Sequence, residues 1–283
     1  MAQFTNQAQL SYNNTVLNSN IATGELLDVL SVTKTAVTES YDRSGNAVYV
    51  VSIVNTGNTA YSGLTLTDNL GGYTFGSATV YPLNYVAGSV KYYNNGVLQT
   101  TAPTVTAGPP LAISGITVPA GGNATVIYEA DITGFAPLGT ESQINNTVTL
   151  SGNGITALTA TETITAAAAP ELTINKTISP ISVTEGDRVT YTFTIHNYGN
   201  TAATAADNVV IRDTFNPILS SLAVTFNGTA WAATTNYTYN QSSGEFATVA
   251  GQITVPAATY AQNTDGSYAI TPGVSVLTVT GTV

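Results

Sequence analysis

The sequence predicts an all-β protein, and three observations support this. Thr, Val, Ile and Tyr, which fit a pleated and half-buried surface, are abundant. Hydrophobic residues make up 43% of the chain and charged residues only 8%, against about 25% in an average globular protein. Short alternating stretches separated by turn signals are typical of β-sandwiches. The 283 residues are enough for two such domains of ordinary size.

An internal repeat divides the chain. The segment LSVTKTAVTES around Lys34 returns as LTINKTISPIS around Lys176, which sets a period of about 142 residues. Residues 48–70 and 189–215 each contain an alternating strand, an Asn-x-Gly-Asn-Thr turn and a second strand that ends in aspartate. We therefore predict two tandem sandwiches. The expected boundaries are 1–27 for an N-terminal donor strand or hairpin with its connector, 28–165 for the first repeat, 166–170 for an Ala-rich linker and 171–283 for the second repeat.

The first repeat closes with a strand at residues 143–151, and the second repeat shows no counterpart of it. Its counterpart lies instead near the start of the chain, where residues 5–11 align with 145–151. Both segments then meet a turn of the Asn or Gly type that hairpins favour. We expect this segment to act as a donor strand for a second repeat. The residues assigned to the donor strand are Phe4, Asn6, Ala8, Leu10 and Tyr12.

The donor strand is expected to complete a neighbouring subunit. The first repeat already has its own last strand, and only about six residues, roughly 20 Å of extended chain, separate residue 22 from the first repeat. Donation to a neighbour is β-augmentation, and a head-to-tail contact of this kind need not close, so it yields a filament. The alternative is that residues 1–22 form a disordered arm or an additional edge strand.

The repeated strings VTKT, VNTGNT and LTLTDNL, with their counterparts INKT, HNYGNT and VIRDTF, resemble the bacterial surface-repeat family known as domain of unknown function 11. The resemblance covers nearly the whole chain. It implies that both repeats are immunoglobulin-like β-sandwiches of a cell-surface or extracellular protein.

One set of side chains could carry chemistry. Each repeat has a lysine in its first strand and an aspartate at the end of a later strand. The third member is an asparagine in the last strand, which the first repeat supplies itself and the second repeat receives by donation. An intramolecular isopeptide bond requires this trio, because a buried lysine loses its charge more easily and a buried aspartic acid can assist the departure of ammonia. The trio resembles that of self-crosslinking modules of Gram-positive pilins and adhesins. The alternative is a Lys–Asp ion pair beside a hydrogen-bonded asparagine. The expected sets are Lys34, Asp68 and Asn146 in the first repeat, and Lys176, Asp213 and Asn6 of the neighbour in the second.

Composition argues against several other functions. The net charge is −10 and the chain has six Lys plus Arg, so we expect neither nucleic-acid binding nor docking to an anionic membrane. No apolar run approaches the roughly 18 residues that a membrane span needs. Cysteine is absent, which removes thiolate metal sites. We expect no metal, no cofactor and no enzymatic activity other than a single-turnover crosslink.

These observations favour a structural subunit that polymerises with copies of itself into an extracellular bacterial fibre. A cysteine-free chain of this size without a visible signal peptide resembles the spore-appendage proteins of anaerobic spore-formers, so a spore or cell surface is expected, without a cleaved signal. A receptor or anchoring protein is a possible further partner. The alternatives are a monomeric surface adhesin or carbohydrate-binding repeat module, and an S-layer or sheath subunit.

Overall fold

The computed structural model describes residues 2–26, 29–152 and 154–283. Within these residues the chain folds into β-strands, and its one helical element is a 3-10 turn at Ala205–Asp207. The prediction of an all-β protein is confirmed. Three parts follow one another: an N-terminal hairpin (residues 2–26), a first half (29–166) and a second half (171–283).

The N-terminal hairpin has four strands: β1 (Ala2–Asn6), β2 (Gln9–Tyr12), β3 (Thr15–Asn18) and β4 (Ala22–Leu26). β1 pairs antiparallel with β4, and β2 pairs antiparallel with β3. Asn13 and Asn14 form the tip with φ of 44° and 62°, the left-handed conformation that two-residue hairpin turns require. Residues 4–23 are all exposed, and no described hydrogen bond joins the hairpin to the rest of the chain.

The first half is a two-layer sandwich. One sheet has the order β13-β12-β16-β7-β5, with β11 beside β16, and the other has the order β14-β15-β8-β17-β18-β6. Its strands are β5 (Leu30–Ala36), β6 (Ser40–Tyr41), β7 (Asn46–Asn55), β8 (Tyr61–Asp68), β9 (Tyr73–Phe75), β10 (Ala78–Val80), β11 (Leu83–Tyr85), β12 (Lys91–Asn94), β13 (Val97–Leu98), β14 (Thr104–Thr106), β15 (Leu111–Val118), β16 (Asn123–Ile132), β17 (Gln143–Ser151) and β18 (Leu158–Ala166).

Alternation of side chains along the strands builds the core of this sandwich. In β17, Ile144, Asn146, Val148 and Leu150 are buried, while the residues between them are exposed or half-buried. Ile144, Val148 and Leu150 join one apolar cluster with inward residues of β7, β8, β15 and β16. Because successive side chains point to opposite faces, the period of two in the sequence fixes which face becomes the core.

The second half has a separate apolar cluster. Its main sheet has the order β19-β20-β28-β22-β23, and two smaller sheets have the orders β21-β25-β24 and β26-β27. The strands are β19 (Leu172–Ser179), β20 (Arg188–Asn197), β21 (Arg212–Thr214), β22 (Ser220–Phe226), β23 (Thr229–Trp231), β24 (Tyr237–Tyr239), β25 (Glu245–Thr248), β26 (Thr259–Gln262), β27 (Tyr268–Thr271) and β28 (Gly273–Thr282).

The two halves differ where β17 and β18 lie. In the first half these strands fill the sheet between β8 and β6, and β18 packs across β5. In the described part of the second half, β21 pairs only with β25. All residues of β19 are exposed, including Leu172, Ile174 and Ile178, whereas the equivalent residues of β5 are half-buried. The second half therefore presents an uncovered apolar face and an unpaired strand edge.

The halves meet at a polar joint. The Arg43 guanidinium makes a two-pronged ion pair with Glu171, with a shortest contact of 2.5 Å between Nη2 and Oε1, and it lies 4.6 Å from the ring centroid of Tyr198. The Asn200 amide donates to the Leu138 carbonyl at 3.0 Å. The joint is thus held by directed contacts on both sides of the linker.

Candidate functional site

The first-half trio occupies three different strands. Lys34 is on β5, Asp68 ends β8 and Asn146 is on β17, and their exposed fractions are 4%, 2% and 0%. Lys34 Nζ lies 2.5 Å from Asp68 Oδ2. Alternation places all three on inward faces, so the sandwich carries an ion pair and an amide inside an apolar core.

Asp68 is held by two further donors. The Leu70 backbone N–H donates to Oδ1 at 2.8 Å, and the Tyr128 hydroxyl donates to Oδ2, the oxygen that also contacts Lys34. Burial is the main cause that raises the pKa of Tyr128 well above its ordinary value, so the phenol keeps the proton that it donates. The carboxylate is therefore fixed in orientation by its neighbours.

Two tyrosines enclose the lysine. The rings of Tyr49 and Tyr128 stack with centroids 5.6 Å apart, and Lys34 Nζ lies 4.5 Å from the first centroid and 5.8 Å from the second. Sequence reasoning missed both tyrosines. A signal was present for Tyr49, because the repeat places Tyr191 at the equivalent position of the second half.

Burial lowers the pKa of Lys34 from 10.5 to about 8, against the opposing effects of Asp68 and Glu162. A substantial fraction of this amine is then neutral near physiological pH. Since only the neutral amine is a nucleophile, burial moves Lys34 toward the reactive form.

Asn146 is the third member of the trio. Neither its Oδ1 nor its Nδ2 has a hydrogen-bond partner among the described residues, although both atoms are buried. Burial raises the pKa of the Tyr49 and Tyr128 hydroxyls, and the Asn146 side chain opposes this effect by lowering both pKa values. Buried polar atoms are rarely left without partners, so the amide is held in an energetically costly position.

The second-half pair has the same arrangement in an open setting. Lys176 Nζ contacts Asp213 Oδ2 and lies 4.6 Å from the ring centroid of Tyr191. The Lys176 side chain is 40% exposed, in contrast to that of Lys34. Val279 pairs with Tyr191 where Tyr128 pairs with Tyr49, so this site has no counterpart of the Tyr128 hydroxyl.

Within one chain, the structure does not bring Asn6 to Lys176. Asn6 is exposed in the N-terminal hairpin, where it pairs with Ala22 of β4. The other residues assigned to the donor strand are exposed as well. These are Phe4, Ala8, Leu10 and Tyr12.

Two kinds of feature are absent from the described residues. No group of three or more His, Cys, Asp or Glu side chains in residues 2–26, 29–152 and 154–283 is arranged to hold a metal ion. The part of the chain that the structure describes has no helix with the length and apolarity that a membrane crossing requires.

No protein-family model and no curated protein matches the chain. Several solved structures are similar to it over most of its length. The C-terminal domain of the antigen I/II polypeptide BspA of Streptococcus agalactiae is 15% identical, with 89% of this chain and 91% of that chain covered and a TM-score of 0.39. The C-terminal domain of the antigen I/II-family protein AspA of Streptococcus pyogenes is 12% identical, covering 90% and 92%, with a TM-score of 0.36.

The pilus backbone RrgB of Streptococcus pneumoniae is 11% identical, with 90% of this chain and 50% of that chain covered and a TM-score of 0.36. At TM-scores below 0.5, these likenesses assign neither a family nor a function to this chain. Membership in domain of unknown function 11 stays a prediction.

Proposed function

We propose that this chain is the structural subunit of an extracellular bacterial fibre, in which the N-terminal hairpin of one subunit completes the second half of the next. One observation carries the proposal. The chain contains a free hairpin that matches β17 and β18, and it also contains a half in which the place of β17 and β18 is uncovered.

The two hairpins agree in side-chain pattern and, between β1 and β4, in pairing. Asn6 pairs with Ala22 and Asn146 pairs with Glu162, so the paired residues are 16 positions apart in both cases (22 − 6 and 162 − 146). Nearer the tip the pairing differs by one residue, since Leu10 pairs with Leu17 (17 − 10 = 7) and Leu150 pairs with Leu158 (158 − 150 = 8). The apolar residues fall at matching places along the donor strand. Phe4, Asn6, Ala8 and Leu10 correspond to the buried residues Ile144, Asn146, Val148 and Leu150.

Docking would relieve exposure on both partners. Phe4 and Leu10 are 60% and 61% exposed, and Ile174 of β19 is 56% exposed. Removing a half-exposed side chain of this size from water is favourable by about 1 kcal/mol. The unpaired edge of β21 would gain backbone hydrogen bonds at the same time, which is the usual source of affinity in β-augmentation.

The first half supplies the expected register. β17 pairs with β8 so that Val148 faces Asp68 and Thr149 faces Thr67. Carried to the second half, this register places Ala8 opposite Asp213 and Gln9 opposite Arg212. Asn6 would then occupy the place in the second half that Asn146 occupies in the first half.

The hairpin cannot reach its own second half. Asn6 pairs with Ala22, and the eight steps from there to Leu30 span at most roughly 28 Å. β5 runs from Leu30 toward the joint over roughly 20 Å, and Lys176 lies roughly 17 Å beyond Glu171 along β19. The acceptor therefore belongs to another subunit, and the contact is heterologous and propagates as an open filament.

Crosslinking would make this assembly covalent. The neutral amine of Lys34 attacks the side-chain carbonyl carbon of Asn146, a C–N bond forms, the bond to Nδ2 breaks and ammonia leaves. Asp68 is placed to carry the proton from the lysine nitrogen to the leaving nitrogen. The same reaction between Lys176 and a neighbour's Asn6 would join two subunits covalently. We propose a spore or cell surface as the location of the fibre.

Engineered disulfides test the docking register, because the chain has no cysteine. In a Lys176→Arg background, which cannot form the intersubunit isopeptide bond, Gln9→Cys with Arg212→Cys should give a ladder of multimers that collapses on reduction. Thr5→Cys with Arg212→Cys is the matched control, since it is four residues out of register, roughly 13 Å, beyond disulfide reach. Equal ladders from both pairs, or from neither, would contradict the proposal.

A further inference from the structure

The Tyr49 hydroxyl lies in an apolar core without a partner. The residue is 0% exposed, and its oxygen has no hydrogen bond among the described residues. Burying a hydroxyl without a hydrogen bond is unfavourable, because the group loses its bonds to water. Phenylalanine would fill the same space without this cost, so the hydroxyl calls for an explanation beyond packing.

Among the described residues of the first half, the other buried side-chain atoms without a partner are Oδ1 and Nδ2 of Asn146. No hydrogen bond joins the Tyr49 hydroxyl to this amide in this state. Burial raises the pKa of Tyr49, so the phenol stays protonated and remains a donor. The interior of the first half thus holds a buried donor and a buried acceptor that have no partner among the described residues.

We propose that the Tyr49 hydroxyl donates to Asn146 Oδ1 as the Lys34–Asn146 bond forms and so stabilises the negative charge that develops on this oxygen. The inference rests on the proposed crosslink. Attack by the Lys34 nitrogen moves the carbonyl electron pair onto Oδ1, and its return expels the Nδ2 nitrogen, which leaves as ammonia after receiving the proton through Asp68. A hydrogen bond from a fixed donor to this oxygen is stronger in the transition state than in the ground state, because the oxygen carries more negative charge there.

The second half repeats this arrangement. Lys176 Nζ lies 4.6 Å from the ring centroid of Tyr191, and Lys34 Nζ lies 4.5 Å from the ring centroid of Tyr49. Tyr128, by contrast, is replaced there by Val279. The position shared by both sites is therefore the tyrosine on the strand next to the lysine. Tyr191 would act in the same way on the Asn6 amide that a neighbour inserts.

Tyr49→Phe is the direct test, because it keeps the ring and removes only the hydroxyl. The chain is synthesised in a cell-free system, quenched at timed intervals in acidic urea, and the loss of one ammonia is followed by intact mass. We expect Tyr49→Phe to slow this loss by about 100-fold or more. The effect on stability is measured in a Lys34→Arg background, which cannot form the crosslink. There, urea unfolding should show that Tyr49→Phe is at least as stable as the chain that retains Tyr49.

The outcomes separate the possibilities. Crosslinking of Tyr49→Phe at the wild-type rate overturns this inference alone and leaves the crosslink in place. Slow crosslinking together with a matching loss of stability overturns it also, since the hydroxyl would then be structural. Absence of ammonia loss in the wild-type chain overturns both the inference and the proposed crosslink. As an independent measurement, Tyr191→Phe should still form fibres but acquire SDS resistance more slowly.

Discussion

Lys34 and Lys176 occupy equivalent positions in β5 and β19, yet the Lys34 side chain is fully buried and the Lys176 side chain is 40% exposed. Each contacts an equivalent aspartate. The difference comes from β17 and β18, which cover β5 and have no counterpart on the described part of β19. Burial of the lysine thus reports whether the last hairpin of a sandwich is in place.

Removal of the Asp68 carboxylate should abolish the first crosslink and destabilise the fold. Asp68→Ala leaves Lys34 buried without its partner, which costs about 3–5 kcal/mol in a buried pair. Intact mass should show no loss of ammonia from the first site, and urea unfolding should show the lower stability. The double variant Lys34→Met with Asp68→Leu removes both charges and is the control. If it is as unstable as Asp68→Ala, the unpaired charge is not the cause.

The rate of the first crosslink should depend on pH through Lys34. Burial lowers its pKa to about 8, and the groups that face it are Asp68, Glu162, Tyr49 and Tyr128. Because the neutral amine reacts, the rate should rise about tenfold per pH unit below pH 8 and level off above it. Timed intact-mass measurements on newly synthesised chain check this. A rate that does not change below pH 8 would show that deprotonation of Lys34 is not required.

Substitutions in the donor strand should impair fibre formation only on the face that enters the core. Leu10→Asn places an amide where the buried Leu150 lies in the first half, and fibre formation should be lost. Gln9→Asn changes the neighbouring residue, which is expected to face outward, and fibres should persist. Negative-stain microscopy of the two purified variants gives the comparison. Equal behaviour of both variants would argue against insertion of this face into a core.

Phe4 and Gly24 should behave as one unit. They pair across β1 and β4, and a Cβ added at Gly24 would clash with the Phe4 ring. The equivalent pair in the first half is Ile144 with Ile164. Gly24→Ile alone should therefore impair assembly, and Gly24→Ile with Phe4→Ile should restore it. Sedimentation of fibres measures both variants, and failure of the second substitution to restore assembly would show that the two hairpins are not interchangeable in shape.

Much of this arrangement could be predicted from periodicity. The strict alternation around Asn146 and Leu150 assigns the inward face of β17, and the repeat places Lys34 and Lys176 at matching sites. The pairing of Lys34 with Asp68 was expected from equivalent positions alone, and the structure places the two groups in contact.

Other features depend on contacts that alternation does not encode. The pattern indicates that Tyr128 points inward, but it does not indicate that its hydroxyl meets Asp68 from a strand 60 residues away. The joint between Arg43 and Glu171 joins residues 128 positions apart in two loops without periodicity. Such contacts follow from how the sheets stack, and a single sequence carries no local signal for them.

The joint also has a mechanical consequence for a fibre assembled as proposed. Within a chain, Arg43 braces the two sandwiches through Glu171 and Tyr198. The repeat period puts Glu185 in the place of Arg43, Val29 in the place of Glu171 and Thr56 in the place of Tyr198, so the junction between subunits has neither the ion pair nor the cation–π contact. Bending stiffness would then alternate along the fibre, with a stiff junction inside every subunit and a compliant one between subunits. A thread of this kind can flex under shear at each second module while its covalent bonds carry the tension.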